Sequence, residues 1–233
     1  MNKTLIADCR IYKESADKLT QMGYKIISVK SQPFLEEPVS SHPDMLCTKL
    51  LAHLFAASEF AEYFKNKTNI ISCSREESLP KPLTYPYDIA FNCVQIGNKL
   101  LCNEKYTHKN IIDFAIKNGI QIINVNQGYA KCSTCVVSDN AIITEDKSVY
   151  NAAKVNGIDA LIIRKGYVKL NGYDYGFIGG CSGLCDKNKL FFNGCIEEHP
   201  DYEKILNHCK CHGTTPISLS YKPLYDIGSI IEL

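Results

Sequence analysis

The sequence predicts an α/β fold of five repeated strand–strand–helix–strand units. They form a single domain over residues 1–233, closed when the C-terminal strand pairs with the N-terminal unit. Three observations predict it. A glycine ends an amphipathic stretch and precedes a short β-branched run at MGYKIISV (22–29), NGIQIINV (118–125) and NGIDALII (156–163), with weaker copies at KTNIISCS (67–74) and HGTTPISLS (212–220). Asn98, Asn140 and Asn188 each mark a turn between two short strands that lead into a helix. The N-terminal unit lacks a first strand, whereas the chain ends in a spare one, PLYDIGSIIEL (223–233). A ring satisfies both and leaves no open sheet edge.

The first unit is the strand TLIADC with its helix to Gly23 and the strand after it. The second, HPDMLCTKLLAHLFAASEFAEYFKN (42–66) with a strand at 69–73, is a partial copy whose HPD also suits a helix start. The third reads DIAFNCVQIG, NKLLCNE and the helix THKNIIDFAIKNG. The fourth reads AKCSTCVVS, NAIITED and KSVYNAAKVNG. The fifth reads GFIGGCSGLC, NKLFFNG and a helix from Glu197 through Cys211. Gly23, Gly119 and Gly157 sit just past helix ends, where glycine supplies the left-handed conformation that stops a helix.

Composition narrows the function. With 26 Lys+Arg against 25 Asp+Glu the net charge is +1, which leaves no basic excess to neutralise phosphates and predicts no nucleic-acid partner. The apolar runs are far shorter than a membrane span, and the N-terminal MNKTLIADCR lacks a signal-peptide core, so no membrane partner is expected. Twelve cysteines without a secretory context read as reduced thiols, mostly small buried hydrophobes. These features predict a cytoplasmic protein with a small-molecule substrate; oligomeric state is not legible.

Five ββαβ units closing in this way resemble the pentein fold, a five-bladed α/β propeller. That superfamily includes arginine deiminases, amidinotransferases and dimethylarginine hydrolases, as well as a non-catalytic ribosome anti-association factor. The resemblance covers essentially the whole chain, rests on architecture more than on identity, and makes this a divergent, circularly permuted member. It implies that the first strand of each unit lines a central channel. Those strands align as HPDMLC, AFNCVQ, KCSTCV, GCSGLC and YDIGSI. Residues three apart on a strand face opposite sides. On this register Asp44, Cys132, Cys181 and Asp226 face the channel, and Cys47 and Cys135 pack outward.

The resemblance also implies chemistry: a thiolate nucleophile, a histidine from an H-x-D motif, and carboxylates that hold a guanidinium group. His42-Pro43-Asp44 supplies the H-x-D, and the channel strand two units later carries Cys132. The implied mechanism has Cys132 attack a guanidine or amidine carbon while His42 protonates the departing amine and later activates water or a second amine. Asp44 and Asp226 orient the histidine or the cation. Cys181, Ser182 and Asn92 complete the substrate-binding set, although Cys181-Ser182 stands where the enzymes carry a carboxylate clamp. The implied activity is a cysteine-dependent hydrolase or amidinotransferase that needs no cofactor and no metal.

Each candidate has a structural alternative. His42 and Asp44 also suit a helix start, as in the second HPD at 199–201; Cys132 suits a core thiol, and the Gly179–Gly183 stretch a crowded axis. Lys131 is expected on the strand face opposite Cys132. A thiolate populated near neutral pH, below the free-thiol value of about 8.5, would then need His42 or another cation nearby. Two other classes remain open. One is a non-catalytic binding scaffold. The other is a metal protein using Cys132/Cys135, Cys181/Cys185 or the His208-Cys-Lys-Cys-His212 cluster. The proline-rich stretches 31–43 and 79–87 read as long loops, with Tyr85 and Tyr87 as possible ligand contacts.

Overall fold

The computed structural model describes residues 3–64, 69–74 and 82–233. The first unit has β1 (Thr4–Asp8), α1 (Lys13–Gln21) and β2 (Lys25–Val29). The second has β3 (Cys47–Leu50), β4 (His53–Ala57), the short α2 (Ser58–Ala61) and β5 (Ile70–Cys73). In the third stand β6 (Val94–Ile96), β7 (Lys99–Cys102), α3 (Lys109–Lys117) and β8 (Gln121–Asn124). The fourth holds β9 (Thr134–Ser138), β10 (Ala141–Thr144), α4 (Lys147–Val155) and β11 (Asp159–Ile162). The fifth holds β12 (Ser182–Cys185), β13 (Lys189–Phe192), α5 (Tyr202–Cys211) and β14 (Thr215–Ser218), and the last strand is β15 (Ile231–Glu232).

These strands form five three-stranded sheets. In the second to fifth units the first strand runs antiparallel to the central one, and the third runs parallel to it after the helical crossover. The first sheet has the order β15–β1–β2, with Leu5 opposite Glu232 and Ile6 opposite Ile231. The C-terminal strand therefore joins the N-terminal unit as expected, although only Ile231 and Glu232 form it rather than the whole of 223–233.

The helices share one pattern. Each long helix buries a pair four residues apart against its sheet: Ser15 and Leu19, Ile111 and Ala115, Val149 and Ala153, Ile205 and Cys209. Asp146 caps α4 by accepting from the Ser148 and Val149 amides, and His108 Nδ1 accepts from Asn110 to start α3. Gly23, Gly119 and Gly157 have φ of +89°, +69° and +71°, the left-handed conformation expected of them. Central strands such as β10 (Ala-Ile-Ile-Thr) are buried on both faces: Ile142 clusters with Val149 and Ala153 of α4, and Ala141 and Ile143 cluster with Leu190, Phe192 and Ile205 of the fifth unit.

Two sequence expectations change. The run 42–66, read as a partial copy of the unit, holds both a first and a central strand, β3 and β4, followed by the short helix Ser58–Ala61 and a 3-10 turn. The first strands also start later than the aligned segments: at Cys47, Val94, Thr134, Ser182 and Ile231. Asp44, Asn92, Cys132, Cys181 and Asp226 all lie in the turns that precede them. Alternation along a strand therefore does not set where these side chains point.

The first strands stand beside one another in order, β3 by β6, β6 by β9, β9 by β12 and β12 by β15. Lys49 Nζ donates to the Glu232 carbonyl at 3.0 Å, linking β3 to β15. They line a cavity of about 380 Å3 that reaches from Cys47 and Val94 to Ser182 and Ile231. The pre-strand turns gather at the other end, where a second cavity opens. Among the described residues no helix is long and apolar enough to cross a membrane.

Candidate active site

The second cavity, of about 270 Å3, has His42, Cys132 and Asp226 at its base and Tyr129, Tyr173, Tyr175 and Phe177 in its walls. Each base residue is held by its turn. His42 precedes the 3-10 turn Pro43–Met45, whose first positions favour proline. Asn92 holds the cysteine turn: its Oδ1 accepts from the backbone amides of Lys131 (2.8 Å) and Cys132 (3.2 Å), and its Nδ2 donates to Cys132 Sγ at 3.3 Å. Gly180 lets the fifth unit approach closely, because a Cβ there would overlap the Asp226 carboxylate. Its amide donates to the Cys132 carbonyl at 2.8 Å, and its own carbonyl accepts from Ser229 at 2.7 Å.

The chemistry centres on one short contact. The Cys132 thiol donates to Asp44 Oδ2 at 2.9 Å. The Ser229 hydroxyl stands 2.9 Å from the same oxygen and accepts from Lys131 Nζ at 2.9 Å. Ser229 adopts φ of +75°, a strained conformation for a residue with a Cβ. His42 is buried with its Nε2 3.9 Å from Asp8 Oδ2 and its Nδ1 3.9 Å from Asp226 Oδ1. Among the described residues neither ring nitrogen has a hydrogen-bond partner, and Asp44 Oδ1 has none. Asp226 accepts from the Phe177 amide and the Gly228 amide, both at 2.9 Å.

Electrostatics follow from burial. Desolvation holds the His42 pKa below its ordinary value despite the pull of Asp226 and Asp8, so the imidazole is neutral near pH 7. Desolvation raises Asp44 and Asp226, opposed at Asp44 by Lys131 and at Asp226 by His42. The Cys132 thiol is raised well above the free-thiol range, first by burial and then by the Asp44 and Asp226 charges. This corrects the expectation of a thiolate at neutral pH in the resting protein. Three buried acids, Asp8, Asp44 and Asp226, outnumber the nearby cations Arg10 and Lys131. A docked cation lowers the pKa values of Asp44, Asp226 and Cys132 and pushes His42 further down.

Several expected residues thus come together, with changed neighbours. His42, Asp44, Cys132 and Asp226 converge, but the carboxylates flanking His42 are Asp8 and Asp226, whereas Asp44 contacts Cys132. Asn92 touches the thiol and lies outside the cavity lining. Cys181 is not brought in: its Sγ donates to the Ile178 carbonyl at 3.3 Å within a hydrophobic cluster. Ser182 lines the opposite cavity. Lys131 reaches Ser229, where an orientation away from the site was expected, because a turn rather than a strand carries it. Tyr85 packs on Tyr129 with ring centroids 5.7 Å apart, and Tyr87 packs on Tyr106. Residues 79–81 of the second proline-rich stretch lie outside the described residues.

Asp8 and Ser229 were missed as site residues. Asp8 did carry a signal: the other central strands end in Ala57, Cys102, Thr144 and Phe192, and an acid at that place is the exception. The His42, Asp44 and Cys132 donor atoms lie within 4.8 Å of one another, a set with the chemistry to hold a zinc-like ion.

Comparison with solved structures defines the class. SxtG, an amidinotransferase of the saxitoxin biosynthetic pathway from Microseira wollei, matches with a TM-score of 0.56 at 11% identity, over 94% of this chain and 89% of that one. The C. jejuni agmatine deiminase matches with a TM-score of 0.51 at 10% identity, over 94% and 88%. Both are penteins, and the fold of this protein is pentein-like. A model described as a family of unknown function, DUF6873, matches residues 6–231, and the chain belongs to that family. No curated protein matches it.

Proposed function

We propose that this protein is a cysteine-dependent hydrolase or amidinotransferase acting on a small guanidine- or amidine-like cation, its five sheets standing as blades of a closed propeller. The observation that carries the reading is the Cys132 thiol donating to buried Asp44 at 2.9 Å, in a cavity whose base also holds His42 and Asp226. The pentein-like fold supports it, since enzymes of this fold include an amidinotransferase and a deiminase. Twelve free thiols fit a reducing compartment, and we assign the protein to the cytoplasm.

In this mechanism Asp226 pairs with the planar cation, whose charge lowers the Cys132 pKa. The thiol proton passes to Asp44, and Sγ forms a bond to the central carbon. One C–N bond then breaks, the leaving nitrogen taking that proton by way of His42, and an amidinium remains on sulfur. In the second half neutral His42 accepts the proton of an attacking water or amine. The C–S bond breaks, and the sulfur takes the proton back. Hydrolysis and amidino transfer differ only in that second nucleophile.

The walls define the substrate further. They are aromatic and aliphatic, and neither lysine nor arginine lines the cavity among the described residues, so a substrate carboxylate has no counter-ion there. Asp174 adds a further acid to the lining. The preferred substrate is therefore a cation with an apolar or second cationic group and no carboxylate.

The test is turnover of a panel of guanidines and amidines followed by NMR. Cys132→Ser should lower it by about a thousandfold or more while leaving the melting temperature near that of the wild type. Undiminished turnover in that variant contradicts the mechanism. Binding without turnover across the panel makes the protein a scaffold rather than an enzyme.

A further inference from the structure

A second cluster lies away from the cavity, where α5 of the fifth unit crosses the fourth sheet. His208 and His212 are four residues apart, which puts both on one helix face, over Asp159 at the start of β11. His212 Nε2 stands 3.0 Å from Asp159 Oδ2, and His208 Nδ1 stands 4.0 Å from the same oxygen. All three donor atoms lie within 4.8 Å of one another. Tetrahedral zinc with ligand bonds of about 2.0–2.2 Å needs donors a little over 3 Å apart, so small side-chain rotations suffice.

An independent contact prepares the site. His208 Nε2 lies 3.1 Å from the carbonyl of Ile142 on β10. Donation to that carbonyl places the proton on Nε2 and leaves the Nδ1 lone pair turned toward Asp159, the arrangement by which supporting hydrogen bonds fix metal-binding histidines. The His208 side chain is only 11% exposed, so it is held in this orientation, while Asp159 at 47% leaves an open side for water or a further ligand. One group opposes a cation: Lys154 Nζ, 3.5 Å from Asp159 Oδ1.

We propose that Asp159, His208 and His212 form a binding site for a zinc-class divalent metal that clips α5 to the fourth sheet. Two neutral imidazoles and one carboxylate suit zinc, nickel or copper and discriminate against calcium and magnesium, which prefer oxygen ligands. The clip joins two units otherwise linked here by contacts such as Thr214 Oγ1 to the Val137 carbonyl at 2.7 Å. This inference does not depend on the proposed enzyme activity.

Calorimetric titration of the chelator-stripped full chain with Zn2+, paired with melting curves, tests it. One ion should bind per chain at this site and raise the melting temperature, as any ligand specific to the folded state does. His212→Ala should weaken binding by more than about tenfold, beyond the smallest effect of losing a merely supporting partner. Lys154→Ala should strengthen it, a result that packing alone does not produce. Cys211→Ser and His42→Ala should leave this binding in place. Zinc binding that survives His212→Ala but disappears in His42→Ala assigns the ion to the cavity and overturns the proposal, as does equal affinity in wild type and His212→Ala.

Discussion

Asp44 and Cys132 show how single side chains here depend on what the backbone does around them. Asp44, His42, Cys132 and Asp226 were legible in the sequence as chemistry-bearing residues at the heads of repeated units. Their contacts were not, because each lies in a turn, where period-two alternation has no force. Lys131 illustrates the error: an assumed strand sends it away from Cys132, whereas the actual turn carries it to Ser229. Glu145 is a half-buried carboxylate that the sequence did not mark. It follows β10, accepts from the Ile178 amide at 3.1 Å, and is pushed up to about 8 by burial. A raised carboxylate contributes stability that is full below its unfolded value of 4.5 and is lost as pH rises through about 8. Glu145→Gln should therefore flatten the fall in melting temperature over that interval and be the more stable protein at its alkaline end, by a few kcal/mol at most. Parallel melting-temperature profiles for the two proteins would show that Glu145 is not desolvated.

At the scale of elements, the helix stops and the paired strands of the third to fifth units were readable from glycine and asparagine positions. The second unit was not. Its run LLAHLFAASEFAEYF is apolar at nearly every position, and periodicity alone does not separate a short buried strand from a helix in such a run. The closing strand was placed in the correct sheet but drawn too long, since Pro223 through Ile230 serve as turns that carry Asp226 and Ser229 to the site. Ile231 and Glu232 cover the edge of β1, and the Leu233 amide donates to the Thr4 carbonyl at 3.0 Å. Deleting residues 231–233 should uncover that edge and give aggregated or markedly less stable protein in size-exclusion chromatography and thermal melts. A monomeric, equally stable truncation would show that β15 is dispensable to the fold.

At the scale of the whole molecule, the five-unit plan was visible because repetition multiplies weak local signals, and its likeness to penteins extends over 94% of the chain at 11% identity or less. The candidate site lies where the pre-strand turns of successive units meet. There buried acids outnumber cations, and we propose that a cation docked beside them activates Cys132. Alkylation by a cationic haloacetamidine and by its neutral haloacetamide counterpart, followed by peptide mass spectrometry near pH 7, is the test. The cationic reagent should label Cys132 ahead of the other cysteines and much faster than the neutral one, and Asp226→Asn should remove the difference. Equal rates for the two reagents at Cys132, or first labelling at another cysteine by the cationic reagent, would contradict that proposal.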